Sequence, residues 1–166
     1  LRQAPCYGRL KKLGAVFGQK FGWERANWFA PKDIEQIDDW SFRRSNWFTH
    51  VGNECLNVQN NVGILDMTAF AKCRISGPGA NDFLDNLVSN KLPQKNGRVN
   101  LCHALNTKGG VHSEFTIAKE SNDSFYLVSA GAFQRLDHDW IKKWMPNDRS
   151  VTFENLTNSI GVLVVA

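Results

Sequence analysis

The chain has no long apolar run. No window of its 166 residues approaches the roughly 18 to 20 apolar residues that a spanning helix requires, so no membrane segment is expected. The opening Leu1-Arg2-Gln3-Ala4-Pro5-Cys6 has no apolar core of the signal-peptide kind. The four cysteines, Cys6, Cys55, Cys73 and Cys102, lie far apart without a C-x-x-C pair, which excludes a disulfide framework and fits buried, reduced thiols in a cytosol or a mitochondrial matrix. The histidines His50, His103, His112 and His138 have no metal-ligand spacing with one another or with the cysteines, so no metal is expected. Gly77-Pro78-Gly79 lacks the Gly-x-Gly-x-x-Gly and Walker patterns and reads as a helix cap. No Ser/His/Asp or Cys/His nucleophile motif is recognisable.

Neither sign of charge dominates. The net charge is +4, and the excess sits in residues 1 to 50, where nine Lys/Arg face five Asp/Glu; the rest of the chain carries eleven of each. Four of the six tryptophans share that leading segment. Basic and aromatic residues together raise nucleic acid as a partner, but the only cationic pairs are Lys11-Lys12, Arg43-Arg44 and Lys142-Lys143, each a solvated surface, and no nucleic-acid binding is expected. A modest cationic excess also suits an anionic small molecule.

What is present is ordinary globular composition, 42% hydrophobic and 22% charged. A domain of this size buries about 70% of the surface of its extended chain and folds without staples when its boundaries are natural. Leu1 in place of Met, and an apolar run from Ile160 to Ala166 that stops without a turn or polar tail, read as a fragment cut at both ends.

The texture of the chain changes near residue 40. Residues 14 to 31 are dense in glycine and aromatics without sustained period, and read as an irregular segment with no core of its own that lies across a neighbour by its rings. From about Ser41 the pattern is regular. A helix with Trp47, Val51, Cys55 and Val58 as its core face is followed by strands at about 62 to 66 and 70 to 76. A helix with Phe83, Leu84, Leu87 and Val88 inward opens at Gly77-Pro78-Gly79. Strands at about 98 to 106 and 111 to 118 flank a glycine-bearing hairpin loop, Asn106 to Gly110. A strand from Phe125 to Ala130 precedes a helix with Phe133, Leu136, Trp140, Ile141 and Trp144 on one side, and strands at about 151 to 156 and 160 to 166 end the chain. Short loops between strands, with helices inserted, predict an α+β fold with a largely antiparallel sheet and flanking helices.

Strand alternation places Val111, Ser113, Phe115 and Ile117 on one face and His112, Glu114, Thr116 and Ala118 on the other. The second face is polar. A carboxylate in mid-strand after a Gly-Gly loop is either part of a solvated surface or the floor of a polar site.

Three segments carry a family resemblance: Arg25 to Pro31, Val62 to Ala80 with its Ile-Leu-Asp-Met-Thr-Ala-Phe core, and Leu105 to Ile117 with Gly-Gly-Val-His-Ser-Glu-Phe. They resemble the dimethylglycine/sarcosine dehydrogenase family over nearly the whole chain. The last two also resemble the folate-binding aminomethyltransferase of the glycine cleavage system, and Phe21-Gly22-Trp23-Glu24-Arg25 resembles the end of the dehydrogenases' central region. The resemblance implies the N-terminal, truncated part of an aminomethyltransferase fold. Residues 1–40 would be the tail of a preceding flavin-oxidoreductase region, and residues 41–166 the first part of the folate-binding domain.

The implied parent oxidises an N-methyl amine to an iminium with FAD bound upstream of this chain, and passes the one-carbon unit to tetrahydrofolate. The implied partners are thus folate, the methylamine-derived iminium and, within the same protein, the flavin domain. The implied compartment is a bacterial cytoplasm or a mitochondrial matrix. The fragment alone would be inactive. The alternative is a free-standing aminomethyltransferase or a non-catalytic folate-binding module.

By the same resemblance, the family's Gly-Gly-x-x-Asp-Asp-Leu pattern falls on Gly109 to Phe115 and makes Glu114 the functional carboxylate, one methylene longer than the usual Asp. The family's Asp-x-Ser-His-Met strand falls on Asp66 to Phe70 and gives Phe70 the folate-facing position, against the alternative of an ordinary core phenylalanine. Val128 and Ala130 become pocket walls, with Ala130 replacing a polar residue. Tyr126 shares their face, as a pocket wall or as a structural ring.

Overall fold

A computed structural model describes all 166 residues and divides them into two compact units, one of Leu1–Ala69 with Gly161–Ala166 and one of Phe70–Ile160. Each unit is built around antiparallel strand ladders, as the α+β pattern predicts.

In the first unit, α1 (Tyr7–Lys12) leads into a hairpin of β1 (Ala15–Lys20) and β2 (Trp23–Phe29). Phe21 and Gly22 turn the hairpin with φ of 52° and 78°, the pair of left-handed residues that a tight two-residue turn demands. This corrects the expectation of an irregular segment without a core. Val16, Trp28 and Ala30 are buried together, with Trp47 and Val51 packed on them. The strand signal is hidden by a bulge: Val16 pairs with Trp28 and Phe17 with Ala26, so Asn27 is an extra residue. Trp23 and Trp28, five apart, are then both buried, which no period of two would show.

The helix α2 (Phe48–Asn60) follows, and its expected core face is only half real. Val51 packs on the Trp28 cluster, but Cys55 is exposed and Val58 keeps 44% of its surface. Short strands β3 (Ile64–Asp66) and β9 (Leu163–Val165) pair to close the unit.

The second unit is a five-stranded sheet in the order β5-β6-β7-β4-β8, formed by β4 (Ala71–Ser76), β5 (Val99–Leu105), β6 (Val111–Ser121), β7 (Ser124–Ser129) and β8 (Thr152–Asn155). Cys73, Ile75, Cys102, Phe115, Ile117, Phe125 and Leu127 fill one face. The helix α3 (Ala80–Leu87) lays Leu84, Leu87 and the adjoining Val88 into this core, with Phe83 half-buried at its rim. Gly77 enters that helix with φ of 117° and its Cα against the Ser150 carbonyl, where any Cβ would collide.

The last helix, α4 (Gln134–Trp144), departs from the sequence reading. Its buried residues are Asp137, His138 and Ile141, while Leu136 and Trp144 each keep 48% of their surface and Phe133 is exposed. An apolar stripe that included two tryptophans outweighed, on paper, an inward pair that is polar.

His138 meets the Phe153 ring edge-on at 5.0 Å. Burial, and next the neighbouring Lys142 ammonium, hold its imidazole below the ordinary 6.5. The folded state therefore binds this proton less readily than the unfolded one. Its stabilising effect is present above pH 6.5 and is lost as pH falls through the depressed value. We expect the urea midpoint to fall over that window, and His138→Gln to flatten it there. An unchanged pH slope in the variant would assign the loss to other groups.

Candidate functional site

The face of the five-stranded sheet opposite the core carries every site residue expected from the sequence. Cross-strand register sets Lys72, Val128, Thr116 and Leu101 in one row and Arg74, Tyr126, Ala118 and Val99 in the next. Phe70 immediately precedes β4 and Ala130 immediately follows β7. They thus flank the Ala71–Ser129 end of the β4–β7 ladder, and the β6–β7 ladder ends nearby at Thr116–Val128, two residues short of Glu114. Glu114 is paired in turn with His103 of β5. Alternation along β6 is as expected from Ser113 onward: Ser113, Phe115 and Ile117 are buried, and Glu114 and Thr116 are exposed.

The Glu114 side chain is 61% exposed and its Oε2 lies 3.0 Å from His103 Nε2. The other His103 ring nitrogen, Nδ1, lies 3.3 Å from Asn90 Oδ1, which also accepts from the His103 backbone N–H at 2.7 Å. Both ring nitrogens thus face oxygen acceptors, and the chain Asn90–His103–Glu114 aims the carboxylate. His103 was not singled out in the sequence, since it lies eleven residues from Glu114 and only the register between β5 and β6 joins them. His112, only two residues before Glu114, is engaged elsewhere. It is the extra residue of a bulge between the Ala104–Ser113 and Leu105–Val111 pairs, and it stacks on Trp140 at 3.8 Å.

On the same face Phe70, Tyr126 and Val128 are half-buried, while Ala130 is exposed and small. Burial lifts the Tyr126 phenol above its ordinary value, which keeps it neutral. Arg74 closes the far end of the face. Its guanidinium grips both Glu120 oxygens at 2.7 and 3.0 Å and reaches Glu154 at 3.1 Å, and Ser124 donates to Glu120. Such a face can offer the Phe70, Val128 and Tyr126 side chains to a flat ring and present a carboxylate at one edge of it.

Asp66, the acidic member of the Asp-Met-Thr-Ala-Phe segment, is occupied structurally. Its Oδ1 accepts from the Thr68 N–H at 2.9 Å and its Oδ2 from the Cys6 thiol at 3.0 Å. Burial pushes its carboxyl up, but these donors and the Arg25 charge outweigh it and hold the group below its usual range. Burial and the same carboxylate push the Cys6 thiol up to about 11, so it stays protonated. The first unit also contains a cleft of about 710 Å³ between β2, α2 and β3, lined by Trp23, Arg25, Glu54 and Asp66 among others; no residue singled out from the sequence as a site residue lies in it.

An antiparallel α+β sheet with one face in the core and a carboxylate-bearing face beyond it defines the class of fold, and comparison with known proteins places it. The GCVT N-terminal domain family matches residues 6–166, and the chain belongs to that family. It is 35% identical over 166 residues to mitochondrial dimethylglycine dehydrogenase of Mus musculus, covering 99% of this chain and 19% of that protein. It is 27% identical to 4-methylaminobutanoate oxidase (formaldehyde-forming) of Paenarthrobacter nicotinovorans, over 93% of this chain and 19% of that protein. The chain therefore spans about a fifth of the length of these relatives. Among solved structures, aminomethyltransferase T of the glycine cleavage system from Bartonella henselae superposes with a TM-score of 0.78 at 20% identity, over 99% of this chain and 40% of that one. The resemblance to dimethylglycine dehydrogenases and to the glycine cleavage aminomethyltransferase, drawn from short motifs, thus extends through sequence and fold. No helix is long and apolar enough to cross a membrane.

Proposed function

We propose that this chain contributes the first part of the tetrahydrofolate-binding region of a dimethylglycine dehydrogenase-like enzyme, with Glu114 as its working carboxylate. The observation that carries this reading is the His103–Glu114 pair on the sheet face turned away from the core, at the end of the sheet where Phe70 precedes β4 and Ala130 follows β7. Tetrahydrofolate, when bound, would supply the nitrogens, one in the pterin ring and one beside it, that accept the one-carbon unit. Phe70, Tyr126 and Val128 offer the half-buried apolar surface against which a pterin packs. Ala130 leaves room beside them. Glu114 orients the ring through a hydrogen bond and holds or releases a proton at its carboxylate, while His103 keeps that carboxylate aimed at the edge of the site. The extra methylene of Glu relative to Asp preserves the hydrogen-bonding role at longer reach.

On this reading residues 1–40 are the end of a flavin-oxidoreductase region whose FAD is held by residues upstream of this chain, and the iminium of an N-methyl amine reaches the folate face from there. The higher identity to dimethylglycine dehydrogenase, 35% against 20% for the glycine cleavage aminomethyltransferase over the same 99% of the chain, supports a dehydrogenase-like parent over a free-standing transferase. The chain alone lacks the oxidising half and is inactive by itself. A mitochondrial matrix or a bacterial cytoplasm is the setting.

Phe70→Ala tests the face. In the full-length protein it should weaken tetrahydrofolate binding about tenfold, the value of a lost ring contact of roughly 1.4 kcal/mol, with amine oxidation unaltered. Titration of folate against protein fluorescence reads the change. Unchanged affinity would return Phe70 to the structural core.

A further inference from the structure

Lys72 is a charged residue with no exposed surface, and it lies on the face of the sheet that bears Glu114 rather than in the apolar core. Burying an ammonium is costly, and a methionine or leucine of similar volume packs at such a place without that cost. Arg74, two residues on, is partly exposed and is answered by Glu120 and Glu154 at the rim. Among the interactions of Lys72, its Nζ donates to the main-chain carbonyl of Phe70 at 2.9 Å. Its own backbone is fixed independently. The Lys72 N–H donates to Thr157 Oγ1 at 3.1 Å, and its carbonyl accepts from the Leu156 N–H at 2.9 Å and from the Thr157 hydroxyl at 3.2 Å. Thr157 is itself fully buried. The lysine is thus anchored at its Cα and reaches back two residues to hold the bend that precedes β4, where no ladder bond holds Phe70.

We propose that Lys72 is a positioning residue for the folate face, fixing the Phe70 ring through the Phe70 carbonyl; the inference rests on the reading of that face as the tetrahydrofolate site. An ammonium is suited to this because it is a strong donor on a flexible stem, and a bond from a charged donor holds a carbonyl more firmly than a neutral one does. The peptide orientation at Phe70 sets the direction of its Cα–Cβ bond, so loosening that carbonyl disperses the ring over several rotamers and costs the ligand a preorganised wall.

The test is a double-mutant cycle in the full-length protein, with tetrahydrofolate affinity and thermal midpoint read for each variant. Lys72→Met keeps the stem and removes the donor. It should weaken folate binding about tenfold, while amine-dependent dye reduction is unchanged. In a Phe70→Ala background the same change should add little, because the ring it positions is already gone. A purely structural lysine would lower the midpoint equally in both backgrounds without this coupling. Lys72→Arg keeps charge and donors and should recover most of the affinity. If Lys72→Met does not fold, Lys72→Arg carries the cycle: a smaller loss in the parent background that disappears beside Phe70→Ala. Full additivity, or unchanged affinity in both Lys72 variants, overturns the proposal. If Phe70→Ala itself leaves affinity unchanged, the folate reading of the face fails and the role of Lys72 falls with it; if Phe70→Ala weakens binding and the Lys72 variants do not, only the role of Lys72 fails.

Discussion

Glu114→Gln in the full-length protein should leave amine oxidation, followed by dye reduction, at the parent rate and lower the formation of methylenetetrahydrofolate by about 10²-fold, the lower range for loss of a positioned acid–base group. The amide keeps the size of the side chain and one acceptor oxygen while removing the charge and the proton-carrying capacity. Stability should barely change. The side chain is 61% exposed, and its pair with His103 is of the solvent-accessible kind that contributes about 1 kcal/mol or less. When transfer is slowed, water hydrolyses the iminium to formaldehyde and the demethylated amine, so free formaldehyde should rise as the folate product falls. Glu114→Asp should retain much of the transfer, since the family pattern has the shorter carboxylate there. An unchanged partition between folate product and formaldehyde in Glu114→Gln would remove the residue from the mechanism. A fall in oxidation and transfer together would point to a lesion of the fold instead.

The placement of Glu114 was legible because β6 is regular where it matters. From Ser113 to Ala118 its alternation is unbroken, and a period of two assigns faces without any knowledge of the partner strands. The same reasoning failed one residue earlier, at His112, because the bulge lies in the pairing and not in the composition. It failed again at Asn27, where one unpaired residue put Trp23 and Trp28 on a common side and made a hairpin look irregular. The partnership of Glu114 with His103 and the hold of Lys72 on Phe70 were out of reach for different reasons. The first depends on register across a loop, and the second on a buried charge that composition treats as surface. On α4, tryptophan weight masked an inward Asp137–His138 pair. In α2 the spacing of Trp47, Val51, Cys55 and Val58 was truly helical, yet only the first half met a partner. Periodicity reports which residues share a face and is silent on how much of that face is covered.

Phe115→Ala should destabilise the Phe70–Ile160 unit by about 3–5 kcal/mol, the range for truncating a buried aromatic. Phe115 is 1% exposed and packs within the cluster of Ile75, Cys102, Ile117, Phe125 and Leu127, so the cavity left behind is enclosed by strands on one side and by α3 and α4 on the other. Thr116, the next residue, is exposed on the opposite face, and Thr116→Ala should cost less than about 1 kcal/mol, mostly strand propensity. Urea unfolding of the two variants, with comparable m-values, gives the contrast directly. The difference carries a functional consequence, because Glu114 precedes Phe115 on the same strand. The side chains that hold β6 in place point into the core, and those that face the proposed ligand point away from it, so the two sets can be altered separately. Equal losses from Phe115→Ala and Thr116→Ala would mean that the outer face of β6 is as load-sharing as the inner one. Glu114 could then not be tested apart from stability.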